Sequence, residues 1–158
     1  MFIIDGHNLL WAVQQKPGGP GAMEELGLCR VISRYLKVVG QAGQIVFDGS
    51  GPSDKSGFDR VTHLEVFFAG VAAEADSVIE DVINASSGPK DLTIVSDDRR
   101  VRKAARARKA ASMRTLVFWQ EVERELKSRR LDQEPAAKQD GLTESETQQW
   151  VNFFGLEE

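Results

Sequence analysis

Cysteine and histidine are scarce in this sequence: the 158 residues include one cysteine, Cys29, and two histidines, His7 and His63. A single cysteine excludes an internal disulfide, and the absence of a Cys/His cluster excludes a structural zinc site of the usual kind. We therefore expect Cys29 to be a buried, reduced thiol within a helix, as is common in cytoplasmic proteins.

Long hydrophobic runs and several familiar catalytic motifs are also missing. No apolar run approaches the roughly 18 residues of a membrane span, and no basic segment precedes the apolar N-terminal stretch, so we expect a cytoplasmic protein without a membrane partner. The sequence has neither the G-x-x-x-x-G-K-[ST] phosphate loop nor the G-x-S-x-G nucleophile elbow. His7 has no obvious serine or cysteine partner, which argues against a nucleophilic triad.

Positive charge is scarce outside one segment. The formal net charge is -4, yet residues 99–130 hold twelve Lys and Arg against three Glu, a net of +9, which leaves -13 for the remainder. A basic segment in an acidic chain is either a solvated helix face or a surface that binds a polyanion. The charge pattern alone favours the solvated face.

Short apolar runs alternate with helical patterns along the chain. The runs predict strands at Phe2–Ile4, Gln44–Phe47, Leu64–Phe68, Leu92–Val95 and Thr115–Phe118. The helical patterns cover Met23–Val39, Ala75–Ala85, Arg99–Ala111 and Glu121–Leu131. Near-continuous apolar strands separated by helices are typical of a sheet that is covered on both faces. We predict an α/β fold: a doubly wound, five-stranded parallel sheet with helices on both faces.

The last part of the chain is predicted to be separate from this sheet. We assign residues 1–131 to one domain, residues 132–142 to a polar linker and residues 143–158 to a C-terminal helical tail. Thr143 and Glu146 form a capping box, and Trp150, Val151 and Phe154 form an apolar stripe. We expect the tail to fold back on the domain, with docking on a partner as the alternative.

Acidic residues follow three of the predicted strands: Asp5 follows the first, Asp48 the second, and Asp97 with Asp98 the fourth. The carboxyl ends of parallel strands meet at one edge, so these side chains should lie along one rim. The third helix should add two acids from its own start. Asp76 and Glu80 are four residues apart and share a helical face, whereas Asp81 should face solvent.

Each acid alone is well explained as a turn residue or a helix cap. Together, Asp5, Asp76, Glu80 and Asp97 would crowd negative charge into one place, which is unfavourable unless a cation is bound. Oxygen ligands without His or Cys suit Mg²⁺ or Mn²⁺, and such ions activate water for attack on a phosphodiester. Asn8 would orient the attacking water or a phosphate oxygen.

At these residues the chain resembles a known family. The segments "DGHNLL", "VFDG", "EADSVIED" and "IVSDDRRV" occur in the order and spacing of the YacP-like NYN domain, which belongs to the PIN-like nuclease group. The match covers roughly residues 1–130 and extends poorly into the tail. The resemblance implies a PIN-like fold and a metal-dependent endoribonuclease, with ribosome-associated members that cleave mRNA. It also implies metal-binding roles for Asp5, Asp76, Glu80 and Asp97, a polar site role for Asn8, and less certain roles for Asp48 and Asp98.

The basic segment follows directly from Asp97, so it should lie beside the acidic rim and bind the RNA backbone. The residues predicted to do so are Arg99, Arg100, Arg102, Lys103, Arg106 and Arg108. Single-stranded RNA is the expected partner, with the ribosome as a further one. Two alternatives remain: a non-catalytic RNA- or ribosome-binding module with a nuclease-like fold, and a structural adaptor that acts through the tail helix.

Overall fold

Strands and helices alternate in the computed structural model of the protein, which describes residues 1–133. The strands of this range are β1 (Phe2–Asp5), β2 (Gly43–Phe47), β3 (Leu64–Phe68), β4 (Thr93–Val95) and β5 (Ala111–Met113). The α-helices are α1 (Gly6–Gln15), α2 (Glu25–Val39), α3 (Ala75–Ala85), α4 (Arg99–Ala107) and α5 (Thr115–Gln133). Short 3₁₀ turns occupy Phe58–Arg60 and Pro89–Asp91.

The five strands form one parallel sheet in the order β3-β2-β1-β4-β5. The predicted fold class is therefore confirmed. In the register of the sheet, Asp5 lies opposite Val46 of β2, and Ile4 lies opposite Val95 of β4. The carboxyl ends of β1, β2 and β4 are therefore level, and the loops that follow them share one edge.

The two faces of the sheet carry separate apolar cores. Helices α1, α2 and α5 pack on the face that includes Ile4, Ile45 and Val95. Helices α3 and α4 pack on the opposite face against Ile3 and Ile94. Burying a large aliphatic or aromatic side chain contributes about 1.5–3 kcal/mol, so the many fully buried side chains of these clusters hold the helices and their termini in place.

The fifth strand lies elsewhere than predicted, because Thr115–Phe118 forms the first turn of α5 rather than a strand. Phe118 and Trp119 are fully buried and continue into Val122 and Leu126 with helical spacing. The observed β5, Ala111–Met113, is a short edge strand with no apolar run.

The basic helix is also shorter than predicted. α4 ends at Ala107, before Lys109 adopts a left-handed backbone with φ of 62° and the chain enters β5. None of the predicted helices covers α1. In contrast, α3 has the predicted bounds, α2 begins two residues later than predicted at Glu25, and α5 includes the whole of the predicted Glu121–Leu131 helix.

Cys29 is buried in α2 and forms no disulfide, as predicted. Burial, reinforced by the charge of Glu25, raises the pKa of its thiol, so the reactive thiolate is disfavoured. No helix among residues 1–133 is long and apolar enough to cross a membrane. α5 extends to Gln133, whereas the rest of the predicted linker and the whole predicted tail lie outside the described residues.

Candidate active site

The rim at the carboxyl end of the sheet is built from the junction between β1 and α1, the loops that follow β2 and β4, and the start of α3. Beyond β2 and β3, Gly49 and Gly70 form an isolated antiparallel bridge that ties the two loops together. Both glycines have positive φ, 76° and 84°, which side chains rarely tolerate. This bridge brings Asp48 beside the first turn of α3.

Asp5 lies at the junction between β1 and α1, where only 5% of its surface is exposed. Its carboxylate accepts hydrogen bonds from the Asn8 backbone N–H and the Ser96 hydroxyl, both at 3.4 Å. The next residue must be glycine, because a Cβ on Gly6 would lie 2.4 Å from the ring of Phe47. The Asp5-Gly6 pair therefore places a buried carboxylate where the helix can begin without a clash.

The carboxyl groups of Asp5 and Asp76 form a close pair, in which each group alters the pKa of the other. Burial raises the pKa of Asp5 to about 7, with the neighbouring Asp76 carboxyl adding to the effect. Burial also raises the pKa of Asp76, and the charges of Asp98 and Asp48 raise it further. The interaction with Asp5 and the charge of Arg100 lower this pKa in part. The pair thus carries the charge crowding that the sequence predicts.

The other acids that follow strands cap helices. Asp48 Oδ1 accepts from the Ala75 N–H at 2.8 Å, at the start of α3. Asp98 Oδ1 accepts from the Val101 N–H at 3.1 Å, at the start of α4. Each carboxylate therefore neutralises part of the positive end of a helix dipole.

Asp97 caps α5 from a position 18 residues earlier in the chain. Its Oδ1 accepts from the Thr115 N–H at 3.0 Å, and its Oδ2 accepts from the Thr115 hydroxyl at 2.6 Å. The backbone N–H of Asp97 in turn donates to Asn8 Oδ1 at 2.7 Å. Asn8 therefore joins α1 to the end of β4, and both oxygens of Asp97 are engaged by α5.

Glu80 is engaged by Arg100 of α4, in an ion pair through the arginine Nε and Nη2. Arg100 also donates to the Ser77 hydroxyl at 3.0 Å and lies 3.8 Å from Glu74 Oε2. Among the acids of α3, Asp76 thus pairs with Asp5 while Glu80 pairs with α4. Asp81 is exposed, as predicted.

Ser96, Thr115 and His7 belong to the rim but are not predicted from the sequence to have roles there. Ser96 Oγ donates to Asp5 and accepts from the Asp98 N–H at 3.0 Å. His7 Nδ1 accepts from the Asp48 N–H at 3.2 Å, so the ring proton is on Nε2, which donates to Glu25 at 2.8 Å. The segment "VSDD" could have identified Ser96, because it lies next to the acids that follow β4. The role of Thr115 could not be predicted from the sequence, because its partner Asp97 is 18 residues away.

The basic residues of α4 are arranged unevenly. Arg99, Lys103 and Arg106 are exposed and form no ion pair with any residue between 1 and 133. Arg108 donates to the Ser86 carbonyl at 2.7 Å. Arg102 is half-buried, and its Nε has no hydrogen-bond partner in the described part of the chain. The exposed side chains are therefore available to an anionic ligand, whereas Arg100 is committed to α3.

The Asp5–Asp76 pair fits a divalent cation, because neither carboxylate forms an ion pair with a residue between 1 and 133, and the nearby Arg100 is paired with Glu80. Within residues 1–133, no group of three or more His, Cys, Asp or Glu residues could hold a metal ion together. Mg²⁺ is commonly bound by one or two carboxylates and otherwise by water and substrate phosphate. The pair is therefore sufficient as the protein part of such a site.

Comparison with known proteins supports this view of the fold. The model of the YacP-like NYN domain family matches residues 2–154, beyond the point near residue 130 where the sequence resemblance was expected to end. No curated protein sequence matches the chain.

Two similar solved structures are of Rae1 (YacP) from Bacillus subtilis. The first has a TM-score of 0.67 and 20% identity, and the match covers 89% of this chain and 84% of Rae1. The second is a tryptophan-to-leucine mutant, with a TM-score of 0.59, 18% identity and coverage of 99% and 98%. At these identities the structures establish the fold, and the family match covers nearly the whole sequence. The chain therefore belongs to the YacP-like NYN domain family, with its nuclease-like fold.

Proposed function

We propose that the protein is a metal-dependent endoribonuclease that hydrolyses phosphodiester bonds of single-stranded RNA in the cytoplasm, including mRNA held on ribosomes. The observation that carries the proposal is the Asp5–Asp76 pair. Two neighbouring carboxyl groups at the ligand-binding edge of a parallel sheet, one buried with its pKa raised to about 7, would be stabilised in their charged forms by a bound cation.

In this proposal Asp5 and Asp76 hold Mg²⁺ or Mn²⁺ directly. The cation would activate water and neutralise charge on the phosphodiester. Asp97 and Glu80, which the sequence also predicts as ligands, act by positioning instead. Asp97 fixes the start of α5 through Thr115, and Glu80 fixes Arg100 beside the pair.

Asn8 binds substrate rather than metal in this account. Its Oδ1 is occupied by the Asp97 N–H, so its Nδ2 group is the one that can donate to a phosphate oxygen. Asp48 and Asp98 keep the starts of α3 and α4 at the rim, and their charges act on Asp76 from both sides. The chain thus supplies the binding and orientation of the reacting groups.

The exposed basic side chains of α4 supply affinity for the RNA backbone. Arg99 lies at the start of the helix, next to the rim, and Lys103 and Arg106 follow at helical spacing. Backbone contacts of this kind fix the strand in place without selecting its sequence.

A second candidate function is a non-catalytic RNA- or ribosome-binding module. The observation that favours it is that no three acidic side chains in the described part of the chain converge on one point. The basic face of α4 would serve such a module equally well.

RNA cleavage assays separate the two candidates. Purified protein and an Asp76→Asn variant are incubated with a mixed single-stranded RNA in Mn²⁺, Mg²⁺ or EDTA, with and without ribosomes. Cleavage that requires a metal and is lost in the variant supports the nuclease. RNA binding without cleavage under every condition, ribosomes included, supports the binding module.

A further inference from the structure

A second basic surface lies away from the acidic rim, on the other layer of helices. It is a cleft of about 390 Å³ between α2 and the loop that precedes β3. Its lining includes four basic side chains, Arg30, Arg34, Lys37 and Arg60. No acidic residue of the described chain lines the cleft, which gives it a formal charge of +4.

The helical side of the cleft is a single face of α2, because Arg30, Arg34 and Lys37 follow one another at spacings of four and three residues. Like charges at these spacings disfavour a helix by a few tenths of a kcal/mol per pair. The opposite face of α2 is fully buried in the core, so the helix cannot turn these side chains away from each other. An anionic ligand would remove the repulsion.

The loop side of the cleft is held firmly against α2. The Ser33 hydroxyl donates to the Thr62 carbonyl at 2.6 Å. Gly57 approaches α2 so closely that a Cβ would lie 2.7 Å from a methyl carbon of Leu26. These contacts fix the backbone that carries Arg60, so the two basic walls keep their spacing without a ligand.

We propose that this cleft binds backbone phosphates of RNA, at a location separate from α4. Arginine guanidinium groups match phosphate oxygens in pairs, and the cleft presents Arg30 and Arg60 together with Lys37. The rest of the chain is acidic overall, so a polyanion is attracted where positive charge is concentrated. This inference rests on the proposed function for the choice of RNA as the polyanion.

Helix α2 connects the cleft to the rim. α2 begins beside the rim, where Glu25 pairs with His7, and Arg30 lies about 7 Å further along the helix axis. α4 packs on the opposite face of the sheet. An RNA strand bound at the acid pair thus has a basic surface on each side, α4 on one layer and the cleft on the other.

The test compares three single substitutions that each change the charge by the same amount. Lys37→Glu and Arg60→Glu lie in the cleft, and Lys90→Glu is an exposed control in the turn before β4. All three are made in the Asp76→Asn background, so that binding is measured without cleavage. Fluorescence anisotropy reports binding to a short RNA of roughly 6 nucleotides and a long RNA of roughly 30 nucleotides at several salt concentrations.

We expect each cleft variant to bind the long RNA about three- to tenfold more weakly and to lose about 0.7 from its salt slope, while the control is unchanged. Thermal unfolding should be the same for all three. The proposal would be overturned if the cleft variants bound the long RNA as tightly as Lys90→Glu does. It would also be overturned if all three variants lost affinity equally. Cleavage is assayed separately with the wild-type protein. A lack of nuclease activity would then not be mistaken for a failure of the cleft to bind RNA.

Discussion

The acids at the rim fall into two groups that the fold treats differently. Asp48, Asp97 and Asp98 each accept a backbone N–H at 2.8–3.1 Å and cap a helix. Asp76 accepts no backbone N–H hydrogen bond among the described residues, and the one cap contact of Asp5 is longer, at 3.4 Å. The first group is therefore held more closely by helix N-termini than the second. Carboxylates at one rim therefore serve the fold in one case and, in our proposal, a ligand in the other.

The largest expected effect is the loss of activity in Asp76→Asn. Removing one of the two carboxylates that we propose hold the cation should lower the cleavage rate by at least roughly 100-fold. Folding should survive, because the change relieves the charge crowding with Asp5. The matched control is Asp48→Asn, since asparagine caps helices as well as aspartate does. Similar activity losses in both variants would abolish the distinction between the two groups.

The pH dependence of stability should also separate the groups. The pKa of Asp5 in the folded protein, about 7, lies above its value of about 4 in an unfolded chain. The folded state therefore binds this proton more tightly, and the resulting stabilisation is complete below about pH 4 and is lost as the pH rises through about 7. In EDTA, the free energy of unfolding of the wild type should fall relative to Asp5→Asn by on the order of 2–4 kcal/mol across that range.

Urea unfolding of both proteins at a series of pH values measures this difference. Parallel stability curves for the wild type and Asp5→Asn would contradict a raised pKa at Asp5.

A moderate effect is expected from breaking the cap of α5. Asp97→Ala should lower the free energy of unfolding by about 1–2 kcal/mol, because the Thr115 N–H and hydroxyl lose their acceptor. Asp97→Asn should preserve the cap and most of the stability. If Asp97→Asn keeps its stability but loses cleavage as severely as Asp76→Asn, Asp97 is a metal ligand rather than a cap alone. Equal destabilisation by Ala and Asn would contradict the capping role.

The smallest effect is expected for Glu80→Gln. Glutamine can still accept from Arg100, so the contact between α3 and α4 should persist and the melting temperature should change little. Cleavage should fall by less than about tenfold. Both variants are measured in the same cleavage assay. If Glu80→Gln lost as much activity as Asp76→Asn, Glu80 would be a metal ligand, as the sequence alone predicts.

The elements that the sequence predicts well are those whose residues determine them locally. α3 has its predicted bounds because Ile79 and Ile83 repeat at helical spacing, and the first four strands are apolar runs. β5 has only three residues, mostly exposed at the sheet edge, so its sequence carries no strand signal. The start of α5 depends on Asp97, which is distant in sequence, and a local pattern cannot reveal that partner.

The same distinction applies to the site. The delivery of Asp5, Asp48, Asp97 and Asp98 to one rim follows from the rule for parallel sheets, and the structure brings them there. Which of them cap helices closely and which do not depends on the helix N-terminus that each one meets in the folded chain. The sequence therefore predicts which acids lie at the rim, but the structure is needed to separate the acids that cap helices from the Asp5–Asp76 pair.

Calorimetry can test directly whether the Asp5–Asp76 pair holds a cation. Mn²⁺ is titrated into the wild-type protein and into Asp76→Asn near pH 7, in two buffers of different ionisation enthalpy. We expect the wild type to bind the ion with release of a fraction of a proton, because Asp5 is partly protonated at that pH. Asp76→Asn should bind at least tenfold more weakly. Equal binding by the two proteins, or binding without proton release, would contradict the claim that the Asp5–Asp76 pair holds the cation.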